Sequence, residues 1–434
     1  MVKTEALEEK VFHLEGKLED TRSKLLDLAT MGALIASILD LEKILSVVME
    51  MAVRTVDGEV GLIQLYDRGE LTSKLTWGVD DAVIKSIAYK DEQDISSYCF
   101  NKQEAVIIND FVSRLDFGPT VTRLMARPIK SRAKCHGTVV VINKTTGDEF
   151  TEEDRVNLEM LINFAAVAID NALLMEESLQ KQRIEQELTI AKQIQETILP
   201  GNEIEIEGVE IGHLYRPARY VGGDFYDVII VGEDSFVLVI GDVSNKGVPA
   251  AMLMSATMAI IRSQLMKSPE IGPAELMNNL NNVLCNGIIK SHDMFVTLFI
   301  ARIDLRAGEA NYCNAGHMPP LYWSSDQDKL VELRSGGTFV GQFPDMIFKM
   351  GTIPISAGDR FLAYTDGVTE AEDSQKRQFG IERLRQAFLK KGEMSARRFC
   401  AFIADSVDRF VESPDKEPFD DLTLLAVKIR RDVQ

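Results

Sequence analysis

Phe236–Gly247 reads FVLVIGDVSNKG. Its first five residues, Phe236 to Ile240, are apolar without a break and run into Gly241. Such a run, closed by glycine, predicts a strand buried on both faces. Asp242 stands where that strand ends. The turn VSNKG follows, and then PAAMLMSATMAIIRSQLM, a segment of helical composition. A carboxylate at a strand end, beside a glycine-containing turn, is held by rigid structure and open to solvent. That setting suits a hard divalent cation, which takes oxygen ligands. The plainer alternative is that Asp242 caps the following helix.

The surrounding segments weigh against the plainer reading. Strand-like runs in GVEIGHLYRPARYVGGDFYDVIIVGEDSFVLVIGDVS lead to helices near Ala250–Met266 and Ala274–Ile289. FVTLFIARID, EANYCNA and RFLAYTDG read as further strands, followed by helices near Ile381–Leu389 and Ser395–Glu412 and a last strand, LTLLAVKIR. This order fits helices covering a double sheet. Acidic residues recur at the strand ends: Asp224 and Asp227 in VGGDFYD, Asp242, Asp366 in YTDGVTEA, and Asp420 and Asp421 in FDDLTLLAV. Gathering them would cost several kcal/mol of mutual repulsion unless cations neutralise it. Two divalent ions roughly 3.5–4 Å apart would do so and would activate a water. An all-oxygen donor set favours Mg²⁺ or Mn²⁺ over Zn²⁺.

Taken together, GGDFYD, GDVSNKG, MFVTLF, NAGHMPPLY, YTDGVTEA and DDLTLLAV resemble the metal-dependent PPM (PP2C-type) serine/threonine phosphatases, and more narrowly the bacterial RsbU and SpoIIE branch. The segment IAKQIQETILP resembles the helix that precedes the catalytic domain there. The resemblance implies an α/β/β/α sandwich over residues 201–434 with two bound Mn²⁺ or Mg²⁺ ions. Asp242 would bridge both, helped by the Val243 carbonyl. Asp366 and Asp420 would complete one site, with Asp421 as the alternative to Asp420, and Asp224 would serve the other. Arg219, five residues before Asp224, stands near the place of a phosphate-binding arginine; an ordinary exposed arginine is the other reading. Asn314 and His317 in NAGH either line the cleft or make a structural turn. The implied reaction is in-line hydrolysis of a phosphoester without a phospho-enzyme. The implied substrate is phosphoserine or phosphothreonine on a STAS-domain anti-anti-sigma protein in a partner-switching pathway. A non-catalytic scaffold and a hydrolase of another phosphoester, such as a nucleotide, are the competing readings.

The N-terminal half reads differently. Leu7, Val11, Leu14, Leu18, Thr21, Leu25 and Leu28 follow alternating four- and three-residue spacing, so residues 1–30 predict a coiled-coil helix and a parallel homodimer. Residues 31–175 begin with a helical pattern over Leu34–Val56, continue with a hairpin turning at DRGE, and finish with a strand, a turn and a long helix. Asn143, Lys144, Gly147, Phe150, Thr151, Asp154 and the ending AIDNALL resemble the GAF sensor family. That implies an α/β/α domain which binds an unspecified small ligand or regulatory protein, or which only dimerises. The cyclic-nucleotide version of the motif is incomplete, because Arg155 stands where an acid is expected. Residues 172–199 read as one helix, stopped by Pro200–Gly201; residues 176–200 are the expected linker. The fold expected overall is multidomain α+β.

Composition sets outer limits on function. The 434 residues carry a net charge of −19, which repels nucleic acid. Five scattered cysteines without a CxxC motif predict reduced thiols. The longest apolar stretch, Ala250–Ile261, is interrupted by Ser255 and Thr257 and falls short of the roughly 20 residues a membrane span needs. No signal peptide is visible, so a soluble, cytoplasmic protein is expected.

Overall fold

The computed structural model describes residues 32–78, 94–110, 120–132, 134–201, 204–289, 294–411 and 420–430, together with Gly16, Glu19, Arg22 and Thr30. The heptad positions from Leu7 to Leu28 lie outside the described residues. The chain divides into two compact units after Arg183.

In the first unit, helix α1 (Leu41–Thr55) is capped by Asp40, whose Oδ1 accepts from the Lys43 amide at 2.9 Å. Its stripe of Ile44, Leu45, Val48, Met49, Ala52 and Val53 is buried. Strands β1 (Gly58–Asp67) and β2 (Glu70–Trp77) meet at Arg68 and Gly69, both at positive φ (48° and 97°). Two left-handed residues in a two-residue turn match the twist of the strands, so the expected DRGE hairpin forms. Helix α2 (Ile95–Lys102) and strands β3 (Val106–Ile108), β4 (Leu124–Lys130) and β5 (Cys135–Lys144) complete an antiparallel sheet of order β2-β1-β5-β4-β3. Alternate residues face opposite ways. Ile63, Leu65, Val139 and Val141 pack with α1 and with helix α3 (Glu152–Ile198). Val60, Leu62, Val140 and Ile142 pack with Ile95 and Cys99 of α2. The result is a helix–sheet–helix layering.

The GAF-like motif residues pin this fold. Asp154 Oδ2 accepts from Lys144 Nζ at 2.8 Å and from the Thr151 amide at 2.7 Å. Asn143, at φ 51°, accepts from the Thr122 amide at 3.0 Å. Helix α3 then continues for 47 residues, so the last helix of the expected sensor domain and the expected linker are one element.

In the second unit, β6 (Val209–Arg216), β7 (Phe225–Ile230), β8 (Ser235–Val243), β9 (Val296–Asp304), β10 (Glu309–Ala315), β11 (Leu321–Ser324), β12 (Lys329–Glu332), β13 (Gly336–Gly337), β14 (Gly351–Pro354), β15 (Arg360–Tyr364) and β16 (Leu422–Ile429) build two sheets. Their orders are β13-β10-β9-β8-β7, with β14 beside β10, and β12-β11-β15-β16-β6. On β15 and β16, Phe361, Ala363, Leu425 and Val427 join the core shared with the first sheet. Their neighbours Leu362, Leu424 and Ala426 join a second core with helices α6 (Ile381–Lys390) and α7 (Ala396–Val411). Helices α4 (Val248–Lys267) and α5 (Pro273–Val283) line the shared core from the side of β8 and β9. The order helix–sheet–sheet–helix is therefore present. Every residue from Phe236 to Ile240 is buried, as the apolar run predicted.

Helices α3 and α4 are each long and apolar enough to cross a membrane by length and composition alone. The sequence reading stopped at Ala250–Ile261, whereas α4 spans 20 residues. Its buried residues, among them Leu253, Met254, Met258 and Ile261, are core residues of the second unit.

Because Phe236 is fully buried in the core of the second unit, Phe236→Ala is expected to destabilise that unit by about 3–5 kcal/mol. Urea unfolding followed by the signal of that unit measures it, and a loss below about 1 kcal/mol would contradict the packing described.

Candidate functional site

The acidic residues converge where β8, β15 and β16 end or begin. Asp242 and Val243 close β8. Asp366 opens a helical turn, Asp366–Thr369, directly after β15 and Thr365. Asp420 and Asp421 lead into β16. Asp224 sits at the start of β7. Strands from both sheets thus deliver their carboxylates to one region.

The two adjacent aspartates have different surroundings. Asp421 Oδ1 accepts from the Ala218 amide and Oδ2 from the Gly223 amide, each at 2.7 Å. Both of its oxygens are committed to holding the 218–224 loop. Asp420 instead pairs with Lys246, Nζ to Oδ2 at 2.9 Å, and its Oδ1 accepts from the Asp421 amide. Glycine is required around this anchor. A Cβ at Gly222 would run into the Asp421 carboxylate, and one at Gly367 into the Asp421 backbone carbonyl.

Asp224 is 1% exposed. Its Oδ2 accepts from the hydroxyls of Thr365 and Thr423, each at 2.6 Å, and Thr365 Oγ1 accepts from the Thr423 amide at 3.0 Å. Burial pushes the Asp224 carboxyl well up, and Asp242 and Asp421 add to the push. Asp242 is raised to about 7 by burial and by Asp366 and Asp420, although its hydrogen-bonding contact with Asp224 works the other way. Asp366 is raised to about 6 by burial, Asp420 and Glu370. Burial is the largest cause of these shifts, and the repulsion expected of gathered carboxylates adds to it. Among the described residues, no group of three acidic, histidine or cysteine side chains is arranged closely enough to enclose an ion as it stands. The donors nevertheless fit a hard cation. Asp242, Asp366 and Asp420 supply oxygen only and crowd negative charge, and Mg²⁺ is commonly held by one or two carboxylates with the rest of its shell water.

Several expected site residues have other surroundings. Asp227 lies apart from this set: its Oδ2 accepts from Arg262 Nε of α4 at 2.7 Å, and its Oδ1 from the Val228 amide. His317 is buried, with its amide donating to Asn314 Oδ1 at 2.8 Å and its Nδ1 3.0 Å from Thr297 Oγ1. Thr297 Oγ1 is 3.4 Å from the Asp242 carbonyl. Burial lowers the His317 pKa to about 4, so the ring is neutral at physiological pH. The NAGH segment is thus a turn that braces the Asp242 strand. Arg219 is exposed.

Sequence reading passed over four contributors. Thr365, Thr423 and Lys246 sit within three or four residues of a motif aspartate, and that proximity was the available signal. Gln195 had none. From α3 it donates to the Gly222 carbonyl at 2.7 Å and accepts from the Gly222 amide at 3.2 Å, next to the Asp421 anchor. Arg262 reaches the same end of α3, donating to the Ile198 carbonyl at 2.8 Å.

Residues 232–430 match the SpoIIE family (stage II sporulation protein E), and residues 38–170 match the GAF domain family. The chain carries a GAF segment and a SpoIIE segment. It is 32% identical to Protein IcfG of Synechocystis sp. over 267 residues, covering 56% of this chain but 41% of that one. It is 28% identical to the phosphoserine phosphatase RsbU of Bacillus subtilis over 257 residues, covering 57% of this chain and 71% of that one. The SiaA-PP2C domain of Pseudomonas aeruginosa overlays 58% of this chain and 99% of its own, with a TM-score of 0.52 at 19% identity, so its fold is shared.

The raised carboxyls predict a pH dependence. A group whose folded pKa exceeds its unfolded value stabilises most at low pH, fully so below about 3.8 for Asp, and that contribution is lost as pH rises to the folded value. In the presence of chelator, the second unit should therefore lose stability between about pH 4 and pH 7. Asp242→Asn should flatten the slope. Thermal unfolding at stepped pH tests this, and an equally steep slope in the variant would refute it.

Proposed function

We propose that this protein is a metal-dependent protein serine/threonine phosphatase. The observation that carries the reading is the convergence of Asp224, Asp242, Asp366 and Asp420 from separate strands of two sheets into one acidic centre. The likeness to the phosphoserine phosphatase RsbU supports it.

In this reading Asp242, the Val243 carbonyl, Asp366 and Asp420 hold two Mn²⁺ or Mg²⁺ ions together with Asp224. Bound divalent cations lower the pKa of water and offset charge on phosphoryl oxygens. The chain's residues fix the geometry for that chemistry. Asp421 orders the 218–224 loop through two backbone amides rather than acting as a ligand. Thr365 and Thr423 hold Asp224 in one rotamer. His317 and Thr297 brace the backbone of Asp242. The substrate is a phosphoserine or phosphothreonine on a STAS-domain protein of a partner-switching pathway.

The GAF domain regulates this activity through α3. A signal there repacks the 172–199 stretch. Gln195 then shifts Gly222, and Arg262 shifts α4, the helix that follows Asp242. Val167 and Leu174, seven residues apart on α3 and 53% and 63% exposed, support a parallel homodimer through this helix.

Full-length protein with Mn²⁺ is expected to hydrolyse a phosphoserine peptide, and Asp242→Asn to lower the rate about a hundredfold or more. Full activity in the variant, or turnover of nucleotides in place of the peptide, would overturn the assignment. A second variant, Ala191→Pro, breaks α3 between the GAF domain and Gln195 at a helix cost of about 3 kcal/mol. It should change basal peptide hydrolysis severalfold; an unaltered rate and an unaltered dependence on the GAF domain would argue against coupling through this helix.

A further inference from the structure

The acidic centre carries a cation supplied by the chain itself. Lys246 lies in the loop between β8 and α4, with its Nζ 2.9 Å from Asp420 Oδ2. The loop is fixed at its base, where the Ser244 amide donates to the Phe295 carbonyl at 2.9 Å and the Phe295 amide donates to Ser244 Oγ at 2.8 Å. Asn245 and Gly247, on either side of Lys246, are both left-handed, at φ 74° and 79°. The backbone of Lys246 is thus set by its neighbours, while the four-carbon stem stays adjustable. Its side chain is 39% exposed and that of Asp420 is 28% exposed. The ammonium stands at the solvent-facing rim of the centre, where an incoming solute meets it. An ion pair this open adds little to folding.

The proposed reaction gives this cation a task. A phosphomonoester approaches as a dianion, and Asp224, Asp242, Asp366, Asp420 and Asp421 repel it. Lysine is a compact point charge with three N–H donors, so Asp420 and a phosphoryl oxygen can be held together. Arg219, the arginine singled out from the sequence for phosphate, is on an exposed stretch, whereas Lys246 is paired with a carboxylate of the centre.

We propose that Lys246 is the phosphate-binding residue of this site, its ammonium holding a non-bridging phosphoryl oxygen of the substrate while remaining against Asp420. The proposal rests on the phosphatase reading above, and the experiment separates the two. Inorganic phosphate binding to the full-length protein is measured by calorimetry in saturating Mn²⁺ for wild type, Lys246→Met and Lys246→Arg, with Mn²⁺ affinity measured alongside. Lys246→Met is expected to weaken phosphate binding about tenfold or more and to leave Mn²⁺ affinity within about threefold. Lys246→Arg, which keeps the charge, should recover most of the phosphate affinity. In turnover of phosphoserine peptide, the methionine variant should raise KM more than it lowers kcat, with phosphate inhibition weakened in parallel. Unchanged phosphate affinity in Lys246→Met overturns the proposal. So does a loss of Mn²⁺ affinity as large as the loss of phosphate affinity, since Lys246 would then act only through Asp420. Failure of wild type to bind phosphate while binding Mn²⁺ also overturns it. If phosphate binding depends on Lys246 but no phosphopeptide is hydrolysed, the phosphate site stands and the phosphatase reading fails.

Discussion

Carboxylates drawn into one place repel each other, and the second unit is built around containing that repulsion. Containment starts with Asp421. It spends both oxygens on backbone amides of the 218–224 loop, satisfying donors that would otherwise be buried without partners. That loop brings Gly222 and Gly223 against the Asp421 carboxylate and places Asp224 where two threonine hydroxyls donate to its Oδ2. Asp242 and Asp366 have less compensation, and burial together with the neighbouring carboxylates raises their proton affinities. Asp421 is the acid whose two oxygens the fold occupies with its own amides, whereas Asp224, Asp242 and Asp366 keep raised proton affinities.

Much of this was legible in the sequence, for identifiable reasons. The strand before Asp242 announces itself because every residue from Phe236 to Ile240 is apolar, and a strand covered on both sides needs no alternation. The DRGE hairpin is readable because the turn needs left-handed residues and glycine supplies one. The helix pairs are readable from the position of prolines and apolar periodicity. Helix ends shifted by a few residues: the pattern near Ala274–Ile289 ends as α5 at Val283 and passes into a π-helical turn, Leu284–Ile288.

What the sequence left open depends on contacts between distant segments. Asp420 and Asp421 are identical neighbours in composition; the amides of Ala218 and Gly223, some two hundred residues earlier, and the ammonium of Lys246 distinguish them. Asp227 has the same glycine-rich surroundings as Asp224, yet Arg262 of α4 takes it out of the centre. Gln195 looks like any polar residue on an exposed helix, and its paired hydrogen bonds with Gly222 exist only once α3 has docked. No local pattern encodes such partners, because each depends on a surface formed by the rest of the fold.

The anchor spanning Asp421 and Gly223 bridges 198 residues, and the one spanning Asp421 and Ala218 bridges 203. On a ribosome working at about 5–20 residues per second, the loop that bears Asp224 emerges on the order of ten seconds or more before β16 can reach it. During that interval the nascent chain has Asp224 and Asp242 but not the strand that organises them. The centre is therefore born late and all at once, after the N-terminal unit has had time to fold. A ribosome that stalls before β16 leaves a chain with its first unit and no assembled acidic centre.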